Sequence, residues 1–169
     1  MDATRALPSG IVAAALVAVT LVAAALVVAP LASAAEGHGK RVCPTRDFWI
    51  GAGWGEDRGA RAHHGIDLGG ERGTEIYAVE DGVIDRTKLQ DNGALQIVMR
   101  GVSGARFYYG HMDEVLVKGG QRITSGQVIG LMGDSGSPGA VHLHFEFWRS
   151  GRDSDAINPA RLIQRICSP

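Results

Sequence analysis

The chain has 169 residues with 17 Lys+Arg against 18 Asp+Glu, a formal net charge of −1, and 45% hydrophobic residues. That is enough chain for one domain of ordinary size. The near-neutral balance argues against nucleic-acid binding, which requires a strong basic excess.

From the N-terminus, one basic residue (Arg5) precedes an apolar run over residues 11–28, interrupted only by Thr20 and followed by Pro30 and the small-x-small triplet Ala32-Ser33-Ala34. This order reads as a secretory signal over residues 1–34, with cleavage before Ala35. The alternative is an uncleaved membrane anchor, because the run is longer than a usual signal core. Removing the segment takes away one basic and one acidic residue, so the balance is unchanged. Residues 35–41, including His38, read as a flexible lead-in, and residues 42–169 as one domain. Contact with a membrane is expected only through residues 1–34 if they stay attached. No seam suggests an oligomer, and a monomer is expected.

Two cysteines, Cys43 and Cys167, lie near opposite ends of this domain. Neither sits in a CxxC or beside a histidine, and an exported pair favours a disulfide. Between them the signals are those of short strands: "EIYAV" (75–79), a turn at Asp81-Gly82, "VIDRTKL", "ALQIVMR" (94–100), "ARFYYG" (105–110), "QVIGLMG" (127–133) and "HLHFEFW" (142–148). The "GVSG" connection suits a hairpin, and glycines mark almost every junction. Only the end reads as helix, with Asn158 as cap, Pro159 in the first turn and then "ARLIQRI". The expected fold is mainly antiparallel β with a short C-terminal helix, with too few helices for parallel βαβ units.

Four of the six histidines fall in "HHGIDLGG" (63–70) and "HLHFE" (142–146). Alternation along a strand puts His142, His144 and Glu146 on one face and Leu143, Phe145 and Phe147 on the other. His142 and His144 would then be about 6.6 Å apart at Cα level. His63 and Asp67 would be about 13 Å apart on a straight strand, too far to share an ion. The segment must therefore bend, and Gly65 permits it. By parity His64 points away from His63. A His₂Asp set of His63, Asp67 and one histidine of the later pair suits Zn²⁺ and leaves a coordination position open for water. His111, just after a strand in "YYGHMDEV", is a loop-end histidine that spacing alone cannot promote.

Taken in order, "WGEDRGARAHHGIDL", "GTEIYAVEDGVI", "YYGHMDEV", "GQVIGLMGDSG", "HLHFE" and "INP" resemble the lysostaphin/LytM-type zinc metallopeptidases, over about Trp54 to Pro159. The resemblance implies a compact antiparallel β domain of the duplicated hybrid motif type, with a groove over one zinc ion per chain. It implies His63, Asp67 and His144 as ligands, with His111 and His142 as active-site histidines that handle the water and the oxyanion. Glu146 is placed to orient a ligand imidazole. The implied activity is hydrolysis of peptide bonds in stem peptides or cross-bridges of bacterial peptidoglycan by metal-activated water, outside the cytoplasm. Relatives with eroded metal sites act as regulators of other wall hydrolases, which is the competing reading. "SPGAV" (137–141) replaces the serine/threonine-glycine-proline stretch common in the family, so the loop beside the groove is where substrate choice departs from the pattern.

Overall fold

Among the described residues, alternating apolar residues and glycine-rich turns build ten strands: β1 (Trp49–Ile50), β2 (Ile66–Gly69), β3 (Glu75–Tyr77), β4 (Gly82–Leu89), β5 (Leu95–Gly101), β6 (Arg106–Val115), β7 (Arg122–Ile123), β8 (Val128–Met132), β9 (His142–Trp148) and β10 (Ala156–Ile157). The helix α1 (Ala160–Ile166) follows. The computed structural model describes residues 40–59 and 61–168. The expected signal segment 1–34 and lead-in residues 35–39 lie outside the described residues. Among the described residues no helix is long and apolar enough to cross a membrane.

The expected antiparallel fold is the one observed. The main sheet runs β1-β2-β9-β6-β5-β4-β7, with β10 on β9 and the β3–β8 pair joined through β6, every pairing antiparallel. The "GVSG" hairpin joins β5 to β6, as expected. The short strands β1, β7 and β10 carry too few residues to show a period, and β2 was hidden among glycines. All four exist through pairing with longer neighbours. Asn158 Oδ1 accepts the Ala160 N–H at 2.9 Å, so the expected cap is present, with Pro159 one position before the helix.

On β9, Leu143, Phe145 and Phe147 enter the core as alternation requires, and Phe107, Tyr109 and Phe145 are fully or almost fully enclosed. Truncating such an aromatic to alanine typically costs about 3–5 kcal/mol. The Tyr109 hydroxyl accepts the Val79 N–H at 3.1 Å, which satisfies its buried oxygen.

Both ends of the domain are tied down. Cys43 and Cys167 are bonded across 124 residues. Arg41, at the end of the expected lead-in, docks against the domain. Its Nε bonds Glu80 at 2.6 Å and its guanidinium lies over the Phe107 and Phe147 rings.

Candidate metal centre and groove

The site stands on one face of the sheet. Asp67 on β2 is in register with His144 on β9, which is in register with Gly110 on β6, then Gln96 on β5 and Lys88 on β4. The neighbouring row is Glu146, Tyr108, Val98 and Arg86. Directly paired residues share a face, so the two rows form the floor of a groove leading away from Asp67 and His144.

Gly65 acts here by its lack of a side chain rather than by backbone conformation. A Cβ there would come within 2.6 Å of the Phe145 carbonyl oxygen and 2.7 Å of the His144 ring. Only glycine lets the chain pass this close to β9 on its way from His63 to Asp67.

His63, Asp67 and His144 come together, with one ligand-type atom from each lying within 4.8 Å of the others. His63 Nε2 is 2.8 Å from His144 Nδ1 and 3.1 Å from Asp67 Oδ1, and His144 Nδ1 is 2.8 Å from Asp67 Oδ1. The outer nitrogens fix what faces inward. His63 Nδ1 donates to the Gly53 carbonyl at 2.6 Å, and His144 Nε2 donates to Glu146 Oε1 at 2.9 Å. A carbonyl or carboxylate oxygen only accepts, so in neutral rings the inward nitrogens are bare. Three lone-pair atoms then converge in a buried place, where their repulsion is relieved by a proton on His144 Nδ1 shared with Asp67 Oδ1 or by a bound cation. The donor set of two imidazoles and a carboxylate fits zinc.

The electrostatics agree. Burial pushes the Asp67 carboxyl up, but the His144 hydrogen bond and the surrounding imidazoles outweigh it and hold it well below the usual carboxylate range. Burial lowers the pKa of His63. Burial works the same way on His144, but its bonds to Asp67 and Glu146 prevail and its pKa is raised. Asp67 therefore stays ionised among the imidazoles and offers a carboxylate to a cation.

His142 and His111 complete the ring of imidazoles, their centroids 4.6 Å apart. His142 Nδ1 donates to Ala140 O at 2.6 Å. Among the described residues His142 Nε2 is buried without a hydrogen-bond partner, 3.7 Å from Asp67 Oδ1. An orphaned buried nitrogen beside three converging acceptors is the second observation that fits a bound cation carrying a polar ligand. His111 does not end a strand, contrary to expectation. β6 continues through it to Val115, and His111 is the bulge residue, at a left-handed φ of 64°. Pairing with β5 and β8 keeps the strand going on both sides of the bulge. The bulge aims the His111 ring at the site, with Nδ1 bonded to Ser135 O at 2.6 Å. Burial lowers its pKa.

Glu146 lies where alternation put it, and its Oε2 accepts the Trp148 indole N–H at 2.7 Å. His64 is exposed and stacks on Trp54. Sequence reasoning missed Arg58, whose guanidinium pairs with Asp67 Oδ2. Nothing in the spacing singles it out, because a turn closed by the Asp57–Ala62 bridge brings it back over β2. The loop 137–141 also does more than border the groove, since Ala140 fixes the tautomer of His142.

Known proteins resemble this chain over most of the domain. The sequence model for peptidase family M23 matches residues 61–159. The peptidoglycan DD-endopeptidase ShyA of Vibrio cholerae is 34% identical over 95 residues, covering 56% of this chain and 22% of ShyA. The murein hydrolase activator EnvC of Escherichia coli is 37% identical over 102 residues, covering 60% of this chain and 23% of EnvC. The chain thus matches about a fifth to a quarter of the length of these relatives. The crystallised catalytic domain of lysostaphin from Staphylococcus simulans superposes with a TM-score of 0.63 at 29% identity, covering 69% of this chain and 92% of that one.

Proposed function

The chain belongs to peptidase family M23, and from that membership we propose that it is an extracytoplasmic zinc metalloendopeptidase acting on peptidoglycan peptides. The observation that carries the proposal is the convergence of His63 Nε2, Asp67 Oδ1 and His144 Nδ1 beside the orphaned His142 Nε2. Zinc held by those three atoms would supply a Lewis acid that makes water nucleophilic near neutral pH and polarises the scissile carbonyl.

The remaining residues do proton and positioning work. His142 and His111 each give Nδ1–H to a backbone carbonyl, so each neutral ring presents a bare Nε2. Either can take a proton from the attacking water and, as imidazolium, return it to the leaving amine. Burial keeps His111 neutral and ready to accept at neutral pH. Glu146 orients His144, and Arg58 holds the outer oxygen of Asp67 so that Oδ1 faces inward.

A non-catalytic regulator that activates another wall hydrolase is the second reading, favoured by the likeness to EnvC. The retained five-residue set weighs against it. A regulator has no need of two further histidines around a complete His₂Asp cluster. The proposed exported location rests on residues 1–34 read as a signal and on the names of the relatives.

The deciding experiment is mass spectrometry of defined cross-linked muropeptides incubated with the purified protein, with and without a zinc chelator. A chelator-sensitive product with a new amine end is expected. No cleavage by fully zinc-loaded protein would transfer the weight to the regulatory reading.

A further inference from the structure

The groove has two unlike halves. One, a cavity of about 570 Å³, is walled by small residues such as Gly51, Ala52, Gly69 and Ala140. The other, about 460 Å³, runs from His144 and His111 over Tyr108 to Arg86, with Arg61 on its rim. Among the described residues, this second half contains a single acid, Glu146, and both its oxygens are engaged by His144 and Trp148.

The arginines around it fall into two groups. Arg58 is neutralised by Asp67, and Arg100 and Arg106, on the same sheet face, are both neutralised by Asp85. Arg61 and Arg86 have no ion-pair partner among the described residues, although they come from separate elements. Arg86 ends the floor row Glu146-Tyr108-Val98-Arg86, and Arg61 follows the turn that carries Arg58. The wall between them is neutral and hydrogen-bonding: Gln90 donates to the Tyr108 hydroxyl at 2.8 Å. Burial, with Glu146, pushes that hydroxyl up to about 12, while Gln90, Arg61 and Arg86 pull the other way, so both guanidiniums act on the same spot. Two unpaired cations over a neutral polar wall, in a chain of net charge −1, form a local field that attracts an anion.

We propose that Arg61 and Arg86 form a carboxylate-binding subsite, so that the substrate is an anionic stem peptide carrying a free carboxylate beyond the scissile bond on this side, and not an uncharged cross-bridge. The inference rests on the endopeptidase reading for which bond is cut, but the subsite itself needs no metal. Guanidinium matches carboxylate in a charge-assisted, often bidentate pair. The neutral wall provides no competing internal anion.

The test uses two synthetic probes, a γ-D-glutamyl stem peptide with its carboxylates free and the same peptide with every carboxylate amidated. Binding is measured by calorimetry to the chelator-treated full chain, and cleavage to the zinc-loaded chain. Wild type should bind the free-carboxylate peptide about tenfold tighter than the amide, a preference that shrinks as salt rises. The Arg61→Gln/Arg86→Gln double variant should bind both peptides alike, at the wild-type affinity for the amide. Equal binding of the two probes by wild type, a preference that survives the double variant, or binding of neither probe would each overturn the subsite. Carboxylate-dependent binding without cleavage of either probe would leave the subsite standing and remove the endopeptidase reading. Cleavage of both probes with equal kcat/KM would do the reverse.

Discussion

His63 Nε2 and His144 Nδ1 lie 2.8 Å apart although 81 residues separate them in the chain. Each turns its protonated nitrogen outward, to Gly53 and to Glu146. Removing either ring removes a third of the proposed donor set. His144→Ala is therefore expected to lose bound zinc and activity together, read by metal analysis of the purified variant beside the muropeptide assay. Stoichiometric zinc in the variant would rule out His144 as a ligand.

His111 separates metal binding from chemistry. His111→Ala should retain zinc at the wild-type ratio while kcat falls by about 10²–10⁴, the usual scale for a lost general acid or base. His111 occupies a left-handed backbone position, which asparagine tolerates better than alanine. His111→Asn is therefore the control for backbone strain and should show the same loss. Full activity in either variant would sink the role assigned to His111.

Glu146 acts through His144. Glu146→Gln leaves the shape intact but removes the charge that fixes the Nε2–H tautomer. Zinc affinity should drop about 10- to 100-fold, measured by competition with a chromophoric chelator. Activity should return at high zinc, an outcome that a merely misfolded variant would not give.

The Cys43–Cys167 bridge spans 124 residues. In the chain-entropy model a loop of that length stabilises by about 5 kcal/mol, as an upper bound. Cys43→Ser with Cys167→Ser should lower the thermal midpoint by many degrees while leaving zinc stoichiometry at low temperature unchanged. A midpoint within about 2 °C of wild type would mean that the bridge restrains little.

Acid sensitivity follows from His111. Burial sets its folded pKa below the ordinary 6.5, with the Ser135 carbonyl opposing only in part. Below 6.5 the unfolded chain then binds more protons than the folded one. Its contribution to stability is complete above that pH and is lost as pH falls through the folded value. In chelator-treated protein, the urea midpoint of wild type should fall more between about pH 7.5 and about pH 5.5 than that of His111→Gln. Parallel falls would show that another group carries the acid sensitivity.

Much of the site was legible because its parts obey a local period. His142, His144 and Glu146 share a strand face, and Leu143, Phe145 and Phe147 anchor the other. The strands of the main hairpins were equally plain, each having enough residues to alternate. Strand β2 was not, because Gly65, Gly69 and Gly70 look like loop residues when read singly. Its pairing with β9 overrides their propensity, and Gly65 turns out to be required by the closeness of His144 rather than by a turn.

The sequence by itself determined which chemistry was available: two imidazoles at alternating positions, a carboxylate four residues from a third imidazole, and cysteines suited to an oxidising compartment. Alternation and composition are local properties, and local properties survive in a linear string. Only the tertiary structure decided which atoms face one another. It turned His111 inward through a bulge, swung Arg58 over Asp67, and left Arg61 and Arg86 without an ion-pair partner among the described residues across one cavity while Asp85 neutralised their neighbours. Those relationships depend on register between strands far apart in the chain. Register is set by the packing of the whole sheet, which no short stretch of sequence contains.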